Sequence, residues 1–124
     1  MSYLVDTDVL SEATRPRPEA KVLAWLERHD AELHISTLTL GEIVKGTHLL
    51  AHGQRRRQLE TWCEDLIASF AGRILPVDEL VARTWGEFYA KHQRVGQTLP
   101  SLDSLLAATA IAHKLTLATH NIAD

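Results

Sequence analysis

Apolar and polar positions follow one another in short blocks along the chain, and four of these blocks predict strands. Strand-favouring residues occur at 3–5, 33–35, 73–77 and 115–119. Such short apolar runs, bounded by polar or turn-forming residues, are typical of buried strands. Pro76 lies in the third run, and because proline has no backbone N–H to donate, this strand is expected near a sheet edge or a strand end.

Between these runs, apolar residues recur at the spacing of one helix face. The first helix, over 9–13, should end before the prolines at 16 and 18, since the residue preceding a proline disfavours helix. The second should begin at Pro18 and end near Asp30. Ser36, Thr37 and Thr39 are candidate caps for a third helix, with buried positions expected at Leu38, Leu40, Ile43, Val44 and Leu49. Further helices are predicted over 54–71 and over 102–113. Between them, Asp78 is expected to cap a helix whose apolar face carries Leu80, Val81, Trp85, Phe88 and Tyr89.

The alternation of strands and helices predicts an α/β fold. We expect a mostly parallel central sheet of four or five strands, flanked by helices. At 124 residues the chain should form a single domain, without a second core. No internal repeat or low-complexity segment interrupts the pattern.

The net charge and the single cysteine limit how the protein can bind a nucleic acid and which compartment suits it. The net charge is −3 and the isoelectric point is near 6.1, so the protein has no overall basic field. Binding of a nucleic acid therefore has to use a local patch or a bound metal. The single cysteine, Cys63, excludes an internal disulfide and fits a reducing compartment.

No apolar run approaches the roughly 18 to 20 residues that a membrane span needs. The N-terminus also lacks a basic region followed by an apolar stretch. These features predict a cytoplasmic protein.

Four carboxylates are expected at the same edge of the predicted sheet. Asp6 follows the first strand, Glu42 and Asp103 lie near the starts of helices, and Asp124 follows the last strand. Strand ends and the helix starts that follow them meet at one edge of a parallel sheet, where ligands bind. Two carboxylates about 4 Å apart repel by roughly 4 kcal/mol at an effective dielectric constant near 20. Bound Mg²⁺ or Mn²⁺ removes this cost, since both ions prefer oxygen ligands.

Each carboxylate also has a local explanation. Asp6 and Asp8 suit a turn and a helix start, and Glu42 follows Thr39 at the spacing of a capping box. Asp103 can interact favourably with the dipole of its own helix. Asp124 is the last residue of the sequence, where a disordered position without a binding role is common. These local roles do not explain why all four fall on one predicted edge.

Four segments carry a family resemblance. They are residues 4–12 (LVDTDVLSE), 38–46 (LTLGEIVKG), 99–110 (LPSLDSLLAATA) and 117–124 (LATHNIAD). In this order they resemble the successive motifs of PIN-domain ribonucleases, and most of all those of the VapC toxins of bacterial toxin–antitoxin pairs. The resemblance covers essentially the whole chain, so we expect residues 1–124 to form a PIN-like domain.

The resemblance implies an activity and a set of site residues. By position, Asp6, Glu42, Asp103 and Asp124 match the family's metal-binding acidic residues, and Thr7, Thr119 and Asn121 match its accessory polar residues. It further implies cleavage of RNA phosphodiesters with Mg²⁺ or Mn²⁺, a homodimer, and a VapB-like antitoxin whose tail occupies the active-site groove. Metal-activated water then serves as the nucleophile, without a protein nucleophile.

The sequence departs from the family pattern in three places. Asp8 stands where Asn is frequent, and His120 stands where Arg is frequent. The chain ends at Asp124, whereas relatives usually continue, so we expect a short C-terminal tail to be missing.

Other residues allow further interpretations. Arg15, Arg17 and His120 are candidate RNA contacts, and residues 55–57 form a further basic run that also suits a solvated helix face. His48 and His52 have the spacing of a zinc site but lack a third ligand. The serines lack the strand–turn–helix context of a nucleophile elbow.

A metal-dependent phosphatase or a receiver-like acidic binding module is the alternative function. A receiver-like module needs a lysine after a late strand, whereas Lys114 precedes the last predicted strand.

Overall fold

The computed structural model describes residues 1–119. Three of the predicted site residues, His120, Asn121 and Asp124, therefore lie outside the described part of the chain.

A parallel sheet forms the centre of the fold. Its strand order is β3-β2-β1-β4, and every neighbouring pair is parallel. The strands are β1 (Tyr3–Val5), β2 (Leu33–Ser36), β3 (Ile74–Leu75) and β4 (Thr116–Ala118). The α/β prediction is thus confirmed, and within residues 1–119 the sheet has four strands. β3 is an edge strand, as Pro76 predicts.

Six α-helices flank the sheet within the described residues. They are α1 (Thr7–Leu10), α2 (Ala20–Arg28), α3 (Thr37–His48), α4 (Gln54–Ser69), α5 (Glu79–Arg94) and α6 (Ser101–His113). Short 3-10 turns at Ser11–Thr14 and Asp30–Glu32 complete the connections. None of the helices in this part of the chain is long and apolar enough to cross a bilayer.

Buried side chains lie on both faces of the sheet. Val5 and Ile35 pack on one face against residues of α1 to α4, including Val9, Val22 and Cys63. Leu4 points to the opposite face, where it packs with Leu106 and Ala110 of α6. Because successive strand residues point to opposite faces, this arrangement places helices on both sides of one sheet.

The start of α2 differs from its prediction. The helix begins at Ala20 rather than at Pro18. Glu19 has an extended backbone, and its N–H donates to the buried carboxylate of Glu12 at 3.0 Å. This long-range contact holds the segment outside the helix, and helical periodicity gives no sign of it.

Three residues predicted on the apolar faces of α3 and α5 are exposed instead. Leu49 follows the end of α3 and is 78% exposed, Val44 is 45% exposed, and Leu80 of α5 is 52% exposed. The inward face of α3 instead carries Thr39, Ile43 and Thr47. Buried threonines therefore occupy positions that a count of apolar residues assigns to the outside.

Candidate active site

Asp6 lies where β1 ends and α1 begins. It is the N-cap of α1, and its Oδ1 accepts a hydrogen bond from the backbone N–H of Val9 at 2.9 Å. Its own backbone N–H donates to the carbonyl of Ala118 in β4 at 3.2 Å. Asp6 thus sits at the carboxyl ends of the two strands β1 and β4, the position at which open parallel sheets bind ligands.

Glu42 reaches the same edge from the first half of α3. The Thr7 hydroxyl donates to Glu42 Oε1 at 2.6 Å, and this contact links two segments that are 35 residues apart. The helix itself is capped by Ser36, whose hydroxyl accepts from the N–H of Leu38 at 3.0 Å. Since Ser36 is the N-cap, a capping-box role for Glu42 with Thr39 is wrong.

Asp103 lies in the first turn of α6, where the helix dipole favours negative charge. Pro100 precedes this helix and offers no side-chain cap. Instead, the Trp85 indole N–H of α5 donates to the Ser104 hydroxyl at 2.9 Å, and that hydroxyl donates to the carbonyl of Ser101 at 2.9 Å. The first turn of α6 is thereby tied to α5 beside Asp103.

Three predicted acidic residues line one small cavity. The cavity has a volume of about 70 Å³, and its lining consists of Asp6, Thr7, Asp8, Glu42, Asp103 and Leu106. Asp6, Glu42 and Asp103 come from three distant segments, so their meeting depends on the fold. The expectation that they converge at one sheet edge agrees with this geometry.

The donor set of this acidic pocket fits a hard divalent cation. All of its charged groups are carboxylates, and Thr7 adds a hydroxyl. Within residues 1–119, no three acidic, histidine or cysteine side chains approach closely enough to form a complete metal-binding group. Mg²⁺ commonly binds through one or two carboxylates and keeps several waters, so an incomplete protein shell suits this ion.

Lys114 lies too far away to serve a receiver-like site. It is the C-cap of α6, with a left-handed backbone conformation (φ 56°), whereas Asp103 lies in the first turn of the same helix. Eleven residues at about 1.5 Å per residue separate the two by roughly 16 Å. Lys114 therefore does not supply the lysine that a receiver-like site needs beside its carboxylates.

The predicted RNA contacts near α1 have different surroundings. Arg15 forms a 2.6 Å ion pair with Glu12, whose side chain is 3% exposed. Arg17 is exposed, and Thr119 is half-buried after β4. Sequence reasoning missed the structural role of Glu12, because nothing in the local pattern marks this glutamate as buried.

His48 and His52 form contacts with an arginine. The Arg56 guanidinium lies 3.1 Å from His48 Nδ1 and 3.5 Å from His52 Nε2. It also lies 3.9 Å from the Glu60 carboxylate. A fixed cation between the two imidazoles is unsuited to a zinc site, in agreement with the missing third ligand.

Comparison with known families identifies the fold. A family model described as "PIN domain" matches residues 3–122. The chain belongs to the PIN domain family. The acidic pocket lies at the end of the central parallel strands of this PIN domain.

Known proteins similar to this PIN domain include a toxin and a ribonuclease. Toxin FitB of Neisseria gonorrhoeae is 38% identical over 120 residues, which cover 95% of this chain and 86% of the relative. VapC ribonuclease Y4jK of Sinorhizobium fredii is 32% identical over 120 residues, with the same coverage of 95% and 86%. The crystal structure of FitAcB from Neisseria gonorrhoeae matches with a TM-score of 0.88 and 37% identity, covering 94% of this chain and 86% of that chain.

Proposed function

We propose that this PIN domain is the toxin of a toxin–antitoxin pair and acts as a divalent-metal-dependent endoribonuclease. The observation that carries the proposal is the meeting of Asp6, Glu42 and Asp103 at one acidic pocket. The similarity to a named toxin and a named VapC ribonuclease supports the same activity. Mg²⁺ or Mn²⁺ is the proposed ion, because every charged group lining the pocket is a carboxylate.

We assign Asp6, Glu42 and Asp103 to the metal, with at least one of them acting through a metal-bound water, because no three of the described side chains lie close enough together to bind it directly. Asp124, which lies outside the described residues, stays the predicted fourth ligand. When bound, a divalent ion would lower the pKa of its water, which supplies a nucleophile for hydrolysis, and would stabilise negative charge on the phosphate oxygens.

The chain's own residues prepare the pocket for this chemistry. The Val9 N–H holds one oxygen of Asp6, and the Thr7 hydroxyl holds one oxygen of Glu42. These contacts fix the two carboxylates before any ligand binds, so less reorganisation is needed on binding. Thr7 is therefore assigned a positioning role, and Thr119 and Asn121 remain predicted accessory residues.

The proposed partners follow from the toxin assignment. They are an RNA substrate, a VapB-like antitoxin that blocks the active-site groove, and a second copy of the chain in a homodimer. We further propose that the protein acts in the cytoplasm, where RNA and a freshly made antitoxin are available.

Replacement of the acidic ligands tests the proposal. Asp6→Asn and Asp103→Asn should each lower the rate of RNA cleavage in Mg²⁺ at least about 100-fold, because ligand loss removes several kcal/mol of charge stabilisation. Asparagine is as good an N-cap as aspartate, so the cap of α1 should survive in Asp6→Asn. Cleavage of labelled RNA, with and without EDTA, is the measurement.

Asp78→Asn is the matched control. Asp78 caps α5 through the N–H of Val81 at 3.0 Å, and it does not line the acidic pocket. This variant should cleave at the wild-type rate. Undiminished cleavage by both Asp6→Asn and Asp103→Asn, or cleavage that persists in EDTA, rejects the proposed mechanism.

A further inference from the structure

A second, larger cavity adjoins the acidic pocket. Its volume is about 390 Å³, and Thr7 and Glu42 belong to the linings of both cavities. It extends from these two residues between the 3-10 turn after α1, the second half of α3, and α4. A group bound in this side cavity is therefore directly adjacent to anything bound at the carboxylates.

The walls of the side cavity combine apolar and hydroxyl groups. Ile43, Leu59 and Trp62 supply apolar and aromatic surface, while Ser11 and Thr47 supply hydroxyls. Flat aromatic surface with a few polar groups is the chemistry that binds a nucleobase, since each base has a π-face and polar edges. Another cavity borders Glu42 on its other side, but none of its lining residues is aromatic.

Arg55 brings positive charge to the side cavity. It is exposed in the first turn of α4, and its guanidinium donates to the carbonyl of Thr14 across the cavity rim. One N–H of the guanidinium is used in this contact, and four further N–H groups remain on a planar fork that suits phosphate. The Glu42 carboxylate thus lies at the boundary that the side cavity shares with the acidic pocket, and the Arg55 guanidinium lies at its rim.

We propose that the side cavity is a nucleotide subsite for single-stranded RNA next to the scissile phosphate. The base enters between α3 and α4, and Arg55 binds a neighbouring phosphate. The volume falls within the range of about 300 to 1,000 Å³ that small-ligand sites occupy. This inference rests on the proposed nuclease function and adds a preference for unpaired RNA, because a paired base cannot enter the cavity.

Removal of the Arg55 charge tests the phosphate contact. In an Asp103→Asn background, which prevents cleavage, Arg55→Gln should weaken binding of a labelled single-stranded oligoribonucleotide about fivefold to tenfold. The plot of log affinity against log salt concentration should become shallower by about 0.7, the value for one phosphate contact on a single strand. Fluorescence anisotropy at several salt concentrations measures both quantities.

Arg57→Gln is the matched control, since it removes the same charge from the same helix. Arg57 is exposed and lies on a different surface of α4, beside Gln54, Gln58 and Thr61. It should change the affinity less than about twofold and leave the salt slope unchanged. Equal effects of the two substitutions would show a diffuse basic surface and overturn the subsite.

A substitution that fills the cavity tests the base contact separately. Gly46 lines the cavity, and a Cβ atom built there meets nothing within 4 Å, so Gly46→Leu places a side chain in open space. We expect about a tenfold loss of affinity for single-stranded RNA and no loss for a duplex of the same sequence. Gly86→Leu in α5 is the control, because its Cβ also meets nothing within 4 Å.

The outcomes separate this inference from the function on which it rests. If the wild-type protein binds the oligoribonucleotide but does not cleave RNA, the proposed nuclease function is wrong, while the nucleotide-binding cavity is still supported. If the wild type cleaves RNA while Gly46→Leu and Arg55→Gln bind as the wild type does, the subsite is wrong. The subsite is also wrong if Gly46→Leu weakens only the complex with the antitoxin, since the cavity then holds a protein segment.

Discussion

The carboxylates of Glu12, Asp6 and Glu42 contact different partners, and these partners indicate their different roles. Glu12 is buried and pairs with Arg15 at 2.6 Å, so its charge is compensated within the protein. Glu42 and Asp6 accept hydrogen bonds from a hydroxyl and a backbone N–H, at a cavity that they share. At the residue scale, the pair with Arg15 therefore marks Glu12 as a structural carboxylate, whereas the shared cavity marks Asp6 and Glu42 as proposed metal ligands.

Glu12→Ala should lower the free energy of unfolding by about 2 to 4 kcal/mol. The substitution removes a buried charge that Arg15 and the Glu19 N–H both contact, and it leaves these donors without this acceptor. Urea denaturation followed by circular dichroism measures the change.

Glu79→Ala is the comparison for this prediction. Glu79 and Arg83 form a 2.9 Å ion pair on α5, but their side chains are 82% and 75% exposed. Exposed pairs of this kind contribute little because water screens them, so the loss should stay below about 0.5 kcal/mol. Similar losses in the two variants would contradict the structural role of Glu12.

At the element scale, α6 depends on its neighbour for the position of its first turn. The helix has no side-chain cap of its own, and the link from Trp85 through Ser104 to the Ser101 carbonyl holds its first turn against α5. Asp103 lies between the two serines in the sequence. The α5–α6 link therefore sets the position from which Asp103 faces the acidic pocket.

Trp85→Phe should raise the Mg²⁺ concentration needed for half-maximal RNA cleavage about fivefold, because residues behind a metal ligand tune its affinity. The rate at saturating Mg²⁺ should stay within about twofold of the wild type. Phenylalanine keeps the ring but loses the N–H, so the fold should survive. A Mg²⁺ titration of the cleavage rate separates the two quantities.

Trp25→Phe serves as the control for this prediction. Trp25 of α2 packs against the rings of Tyr3 and His29, and it does not line the acidic pocket. If both tryptophan variants show the wild-type Mg²⁺ dependence, Trp85 has no positioning role.

Elements and single contacts differ in how far the sequence predicts them. Helical spacing and strand-favouring runs indicated the four strands and six α-helices of residues 1–119, although α1 lies at Thr7–Leu10 and continues as a 3-10 turn instead of spanning 9–13. The cap of α5 by Asp78 was predicted and is confirmed. The extended backbone at Glu19 and the Trp85–Ser104 link were missed. Each depends on a partner that only the folded chain brings near, and residue periodicity contains no information on such partners.

The candidate site was predictable for a different reason. Asp6 and Asp103 each follow from a local pattern, a carboxylate after a strand or at a helix start, and the parallel topology brings such positions together. The side cavity was not foreseen, because its walls come from α3, α4 and the turn after α1. Residue types alone do not reveal the space that packed helices leave between them.

At the scale of the whole molecule, the helices that cover one face of the sheet shield the Cys63 thiol from solvent. The thiol is buried on the face covered by α1 to α4. Burial raises its pKa above the ordinary value, and the nearby Glu64 charge acts in the same direction. The native thiol should therefore react slowly with iodoacetamide, and the rate should rise steeply in urea at concentrations that unfold the domain.

Stability should follow the ionisation of this thiol. Because the pKa of the thiol is raised in the folded state, the unfolded protein loses this proton at a lower pH than the folded protein does. The contribution of the protonated thiol to the free energy of unfolding is therefore fully present below the unfolded pKa. It is lost as the pH rises through the folded pKa. Cys63→Ala should show a smaller alkaline loss of stability than the wild type, measured by urea denaturation across alkaline pH. Identical pH profiles would contradict an effect of burial on the thiol.

The order of segments around the acidic pocket has a consequence for protein synthesis. Asp6 and Glu42 leave the ribosome early, whereas Asp103 belongs to α6, the last helix of the described residues, and β4, which pairs with β1, is translated later still. A nascent chain that stops before residue 101 lacks both. The proposed RNA-cutting centre is therefore assembled only after α6 and β4 have been translated, so shorter nascent chains are not expected to cut the messenger that encodes them.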